Sequence, residues 1–204
     1  MNQRVSALGR RYARLATRAA VAHPRLWRLF RPLLRWNFDA LAPQWDSIRR
    51  DDTTAAVDLA FERIDPPRCV LDVGTGTGLV AALAAERFPD AEVVGVDLSP
   101  RMIEVAQRNH GSERIRFEVA DASALPFTDG AFDLAVLLNM IPFAGELARV
   151  LEPQGKLAIL FSRGPETPIW VPPKTLRPQL EQAGFVDVEE HRVDSAVVLL
   201  ALRV

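Results

Sequence analysis

The chain has 204 residues, 49% hydrophobic and 25% charged, enough for a sizeable core and incompatible with a wholly disordered chain. A single cysteine, Cys69, excludes an intrachain disulfide and argues against a cysteine zinc site. Uninterrupted apolar runs such as Ala196–Leu202 are far too short to span a bilayer as a helix.

The net charge of -1 hides an asymmetry. Residues 1–50 carry eleven arginines, no lysine and two acids, Asp39 and Asp46, a balance of +9, whereas residues 51–204 balance to -10. The split predicts a basic helical arm or cap, residues 1–50, on an acidic domain, residues 51–204. The acidic domain argues against nucleic acid as a partner, since phosphate binding needs a basic face near the site. Only the arm keeps that option open.

In chain order, Arg4 to Val21 reads as an amphipathic helix, with Arg10, Arg11, Arg14 and Arg18 on one face and Leu8, Tyr12 and Leu15 on another. Pro24 breaks it. A second helical pattern places Arg25, Arg28, Arg31 and Arg35 on one side and Leu26, Trp27, Leu29, Phe30, Leu33, Leu34 and Trp36 around the rest, with Pro32 as a kink. A third helix runs from Thr53 to Ile64. Cys69–Val73 is a short apolar run bounded by Pro and Gly, hence a buried strand. An alanine-rich helix follows to Phe88. Then come a strand at Glu92–Val96, a helix at Pro100–Asn109 and strands at Ile115–Val119 and Phe132–Leu138. A short helix at Glu146–Leu151, a strand at Lys156–Phe161 and a helix at Leu176–Ala183 lead to a hairpin, Val186–Val193 and Ala196–Val204, around Asp194-Ser195. The alternation predicts an α/β, doubly wound sheet of seven strands, mostly parallel, with an antiparallel C-terminal hairpin strand and extra N-terminal helices.

The strongest motif is Asp72-Val73-Gly74-Thr75-Gly76-Thr77-Gly78, where a strand feeds a helix. Glycines there let a ligand approach the backbone, and such a turn lies at the carboxyl end of a strand, where open α/β sheets bind ligands. The dinucleotide fingerprint, G-x-G-x-x-G, would need glycine where this chain has Leu79. Asp97 ends the second strand 19 residues after Gly78, where a carboxylate can accept both hydroxyls of a ribose in either cofactor class. Asp121, after the third strand, can accept from an exocyclic amine such as that of adenine. Leu98 and Met102 can pack on a flat base.

With these pieces the sequence resembles class I S-adenosylmethionine (SAM)-dependent methyltransferases, in the small-molecule group that includes the ubiquinone/menaquinone C-methyltransferases. The matching segments are LDVGTGTG, VGVDLSPRMIEVA, DASALPF, FDLAVLLNMI, LARVLEPQGKLAIL and LEQAGF, over about residues 38–190. The resemblance implies a Rossmann-like sheet and SAM as cofactor. It implies that Asp72 orients the turn near the SAM amino group, and that Gly74, Thr75, Gly76 and Gly78 form the turn beside the methionine portion. Asp97 would hold the ribose, Leu98 and Met102 flank adenine, and Asp121 with the Ala122 backbone read the adenine amine. Asn139 would face the methyl-transfer site, and Gln44-Trp45-Asp46 close over SAM. Two departures stand out. Gln154 replaces the first glycine of the family's Pro-Gly-Gly, which strains a turn that prefers glycine. The segment before the last helix is short, so the active site is either open or roofed by the N-terminal helices.

Plainer readings accompany several residues. Met102 can equally be core, Asn139 a strand-end cap and Asp133 structural. His23, His110 and His191 show no mutual spacing, and no metal cluster is visible. The arm reads as a roof, as an interfacial anchor on an anionic membrane through residues 1–36, or as an Arg-rich transit peptide that is too poor in serine. The expected activity is methyl transfer from SAM to a small lipophilic acceptor, in the cytoplasm or peripherally at a membrane. No catalytic base can be named. The stretch Asn139-Met140-Ile141-Pro142 is not the motif of amine-directed nucleic-acid and protein methyltransferases. Two alternatives are a nicotinamide-dependent oxidoreductase, disfavoured by Leu79 and Asp121, and a non-catalytic methyltransferase-like subunit, disfavoured by the complete Asp72, glycine and Asp97 set.

Overall fold

The computed structural model describes residues 3–48 and 53–204. The side chains of Arg4, Leu8 and Arg10, and the boundary expected between residues 50 and 51, lie outside the described residues. Helix α1 spans Gln3–Ala22; a 3-10 turn at Pro24–Leu26 leads into α2, Trp27–Leu41, which runs on through Pro32. A second 3-10 turn, Ala42–Gln44, precedes the four-residue α3, Trp45–Ile48, and α4 is Thr53–Phe61.

From there the chain alternates: β1 Cys69–Val73, α5 Leu79–Arg87, β2 Glu92–Asp97, α6 Pro100–His110, β3 Ile115–Val119, β4 Phe132–Leu138, α7 Ala144–Val150, β5 Leu151–Phe161, α8 Pro173–Gln182, β6 Phe185–Val193 and β7 Ala196–Arg203. The seven strands form one sheet in the order β3-β2-β1-β4-β5-β7-β6. All neighbours up to β5 are parallel, while β7 pairs antiparallel with both β5 and β6. The chain reverses direction across the sheet between β1 and β4, the switch point at which an open α/β sheet leaves a crevice.

Because successive strand residues face opposite sides, β1 sends Leu71 and Val73 to one face and Val70 to the other. Val70 joins the apolar layer under α4 and α5, with Val57, Phe61, Val80 and Ala84. Leu71 and Val73 join a layer that takes in α7, α8 and the N-terminal helices through Ala16, Ala20, Trp27 and Leu34. The arm's first two helices are thus packed on the sheet domain, and Gln179 on α8 donates to the Val21 carbonyl.

Two local expectations shift. Strand β5 starts at Leu151, five residues before the pattern suggests, because Pro153-Gln154-Gly155 is absorbed as an irregularity in the β4–β5 register. Gln154 sits there at φ 68°, the left-handed conformation that a glycine would adopt without strain. Asp133 is structural: its carboxylate accepts from the backbone N–H groups of Arg68 and Cys69 and fastens the start of β1 to β4.

Candidate active site

Every residue of the expected cofactor site lies at the carboxyl end of β1, β2, β3 or β4. Asp72 faces the first turn of α5 and is 1% exposed. Its Oδ2 accepts from the Thr75 hydroxyl at 2.6 Å and from Ala81 N at 3.0 Å, satisfying one of the N–H groups left open at a helix start. Its Oδ1 is buried and has no hydrogen-bond partner. Burial, only partly offset by those two donors and reinforced by nearby Asp97, pushes the Asp72 carboxyl up to about 7.

The glycine turn is clamped to β2: Gly74 N and Thr75 N both donate to Val96 O, and Gly76 N donates to Asp97 Oδ2 at 3.0 Å. Gly76 has φ 56°, and a Cβ there would come 3.3 Å from the Trp45 indole nitrogen. Gly74, at φ 76°, faces Met140 more closely, with 3.0 Å from a Cβ to that side chain. Gly78 packs differently, against His110, Phe117 and Ala106 beneath α6.

Asp97 Oδ1 accepts from Ser99 N at 2.8 Å. Loss of solvent pushes this carboxyl up to about 6, against the pull of the Ser99 and Gly76 N–H groups and with Asp39 adding repulsion. Ser99 caps α6 by accepting from Met102 N and donates its own hydroxyl to Asp39 at 2.6 Å. Met102 is buried, Leu98 half-buried and Ala122 buried beside Leu125.

Asp121 carries four hydrogen bonds. Oδ1 accepts from Ser123 N at 3.0 Å, Ser123 Oγ at 2.8 Å and Trp27 Nε1 at 2.8 Å; Oδ2 accepts from Arg31 at 2.6 Å. Burial opposes ionisation, but these donors outweigh it and hold the carboxyl below its ordinary value. Asn139, at φ 53°, is tied to β5: its Oδ1 accepts from Ser162 N and its Nδ2 donates to Ser162 Oγ, each at 3.0 Å. That is the strand-end role, and it commits much of the amide that would otherwise face a substrate.

The N-terminal helices lie over these elements. Besides Asp39 on Ser99, the Thr77 hydroxyl donates to Asp46 at 2.6 Å, and Trp45 covers Gly76 while meeting Phe38 edge-on at 5.7 Å. The short segment after β5 contributes Trp170, edge-on to Phe161 at 4.9 Å. Trp27, which the anchor reading would put in lipid and the roof reading against the domain, is 4% exposed and stands edge-on to Phe143 at 5.5 Å. The outer face of α2 is formed by Leu29, Leu33 and Trp36. The sequence pattern gave no site role to Arg31, Asp39 or Met140. One signal was available: Trp27, Arg31 and Leu34 share a helical face.

The three histidines do not gather with these groups. His23 is exposed at the junction of α1 and α2, His110 packs near Gly78, and His191 pairs with Glu189 on β6. Among the described residues, no group of three or more His, Cys, Asp or Glu could hold a metal ion, and no helix is long and apolar enough to cross a membrane.

Comparison with known proteins agrees with this fold. Residues 70–155 match the model of a methyltransferase domain. A demethylmenaquinone methyltransferase of Thermus thermophilus is 41% identical over 140 residues, which cover 60% of this chain and 63% of that protein. One from Clavibacter sepedonicus is 33% identical over 201 residues, covering 76% of this chain and 78% of that protein. The chain spans about three fifths of the length of the first curated relatives it matches. In fold, it is similar to a SAM-dependent methyltransferase from Aquifex aeolicus, with a TM-score of 0.65 and 19% identity over 80% of this chain and 98% of that one. The chain belongs to the class I SAM-dependent methyltransferases and, within them, resembles the quinone C-methyltransferases.

Proposed function

We propose that the protein transfers a methyl group from SAM to a small, lipophilic acceptor, working in the cytoplasm at the surface of an anionic membrane. One observation carries the cofactor reading: the buried Asp72 Oδ1 has no partner beside a glycine turn whose Gly74 and Gly76 are faced by the side chains of Met140 and Trp45. A buried polar atom without a partner calls for one, and the ammonium group of SAM is of the right charge. The residues present therefore fit the cofactor. In this reading Asp72 meets the ammonium, and Gly74, Thr75, Gly76 and Gly78 form the turn around the amino-acid portion. Asp97 holds the ribose, Leu98 and Met102 flank the base, Asp121 and Ala122 read its amine, and Asn139 borders the reacting methyl.

When bound, SAM supplies a methyl group already made electrophilic by its sulfonium. The chain's own residues then have to position the acceptor in line and exclude water, and orientation of that kind can account for roughly 7–11 kcal/mol of a barrier. Met140, Ile169 and Trp170 are only partly buried against the apolar layer that also takes in the N-terminal helices, and such apolar surface suits a lipophilic molecule. The name shared by the two relatives, demethylmenaquinone methyltransferase, points the same way. Residues 1–50 act as a cap on a catalytic domain of residues 51–204. The outer face of that cap, with Leu29, Leu33 and Trp36 exposed among Arg25, Arg28 and Arg35, suits an anionic bilayer. The test is a screen of quinols, phenols and lipids with methyl-labelled SAM, with and without anionic vesicles. Label in a quinol is expected; label only in water-soluble amines or in protein would overturn the acceptor class.

A further inference from the structure

We propose that helix α2 is a latch on the cofactor site: Trp27 and Arg31 occupy the acceptor positions of Asp121 that the adenine amine needs, so this stretch of α2 leaves the carboxylate when the cofactor binds. The inference rests on the cofactor reading above.

A carboxylate offers about four lone-pair positions. Asp121 has four donors, three on Oδ1 (the Ser123 N–H and hydroxyl and Trp27 Nε1) and Arg31 on Oδ2. The Ser123 donors are local, two residues along, and belong to the turn after β3. The other two come from 94 and 90 residues away, one helical turn apart on α2. An amine arriving at the crowded Oδ1 has to displace Trp27 Nε1, and one arriving at Oδ2 has to share that oxygen with Arg31.

The space is contested as well as the charge. The Trp27 ring lies in the apolar cluster that holds Ala122 and Leu125. A flat bicyclic ring that donates an N–H to Asp121 is chemically similar to adenine presenting its amine to the same carboxylate. The arrangement is also poised to open, because Arg31 is 44% exposed and its ion pair is therefore worth little. A site whose competent state is only a fraction of the population shows an affinity reduced by that fraction.

Two conservative variants test this. Trp27→Phe removes the indole N–H but keeps aromatic bulk, and Arg31→Met removes the charged donor at a half-exposed position. Calorimetry with S-adenosylhomocysteine should show each variant binding about 3- to 10-fold tighter than the full-length wild type, the double variant more so. Hydrogen exchange of wild-type α2 amides should become faster on saturation with S-adenosylhomocysteine. Unchanged or weaker binding by both variants, or slower α2 exchange, would mean that Trp27 and Arg31 are a fixed wall of the site and would overturn the latch. In that case wild-type binding that is lost in Asp97→Ala leaves the cofactor reading standing. No binding by wild type or variants overturns both.

Discussion

The Thr75 hydroxyl donates to Asp72 Oδ2 at 2.6 Å, and the other oxygen of the same buried carboxylate, Oδ1, is left without a partner. Burial therefore favours neutral Asp72, whose pKa is pushed up to about 7, above the unfolded value of about 3.9. A carboxyl raised on folding contributes stability in acid that is lost as pH rises from about 4 through about 7. Asp97, raised to about 6, acts in the same direction. A bound ammonium reverses the preference at Asp72. S-adenosylhomocysteine should then bind with release of protons near neutral pH, and its affinity should rise between about pH 5 and 8. Calorimetry in two buffers of different ionisation enthalpy measures the proton release. Asp72→Asn should abolish most of it and flatten the pH dependence; if it does neither, the group titrating on binding lies elsewhere.

Asp97→Ala removes the charged acceptor assigned to the ribose hydroxyls. Hydrogen bonds to a charged group are worth about 1.5–3 kcal/mol, so affinity for S-adenosylhomocysteine should fall roughly 10- to 100-fold. The same carboxylate also holds Gly76 N and Ser99 N, so circular dichroism and a melting curve must accompany the titration. A folded variant with wild-type affinity would remove Asp97 from the site.

The parts of the molecule legible in its sequence are those governed by local pattern. Cys69–Val73 reads as a buried strand because its apolar side chains must fill both faces of a covered sheet, and Ser99-Pro100 marks a helix start because hydroxyl and ring each suit that end. Asp72, Asp97 and Asp121 could be placed because each follows from a strand end. The partners of Asp121 could not, since Trp27 and Arg31 reach it across more than 90 residues only after the arm has packed. Composition alone sends an amphipathic Trp to the surface; tertiary contacts with Asp121 and Phe143 bring it in. Asn139 shows the converse limit, because its hydrogen bonds to Ser162 join residues 23 apart and could not be foreseen from the strand end alone.

Arg149 on α7 staples the loop that carries Asp121. It donates to Glu146, to Asp129 and to the carbonyls of Phe127 and Leu125, while Glu146 accepts from Leu125 N. Arg149→Met leaves both carbonyls without their side-chain donor and Glu146 with Leu125 N in place of three donors. The expected cost is about 1–3 kcal/mol, since part of the network is solvent-screened, and the midpoint of urea denaturation should fall accordingly. Cofactor affinity should weaken as well, because the loop positions Asp121. A variant with unchanged midpoint would show that the network is redundant.

Gln154 holds φ 68° in the irregular start of β5. Left-handed backbone costs an L side chain roughly 1–2 kcal/mol, and glycine avoids that cost but loses more entropy on folding. Gln154→Gly should therefore stabilise the protein by about 0.5–1 kcal/mol net, read as a higher urea midpoint at unchanged slope. Because the site lies at the opposite ends of the strands, S-adenosylhomocysteine affinity should not move. Destabilisation would mean that the glutamine side chain contributes more than its backbone costs.

The inward turn of Trp27 changes which residues should meet a membrane. Leu29 and Trp36 are 73% and 66% exposed, Leu33 lies between them, and Arg25, Arg28 and Arg35 flank the stripe. The protein should sediment with anionic vesicles and much less with neutral ones. Raised salt should weaken this, because attraction between exposed charges is screened beyond a Debye length of about 8 Å at physiological ionic strength. Trp36→Ala and Leu29→Ser should each reduce binding, since burial of apolar surface contributes about 25 cal/mol per Å² on top of the charge attraction. Trp27→Phe, on the buried face of α2, should not reduce it. Equal sedimentation with both vesicle types would make the attachment purely apolar. Failure to sediment with either would leave the arginines as the solvated face of helices whose business is to cover the site.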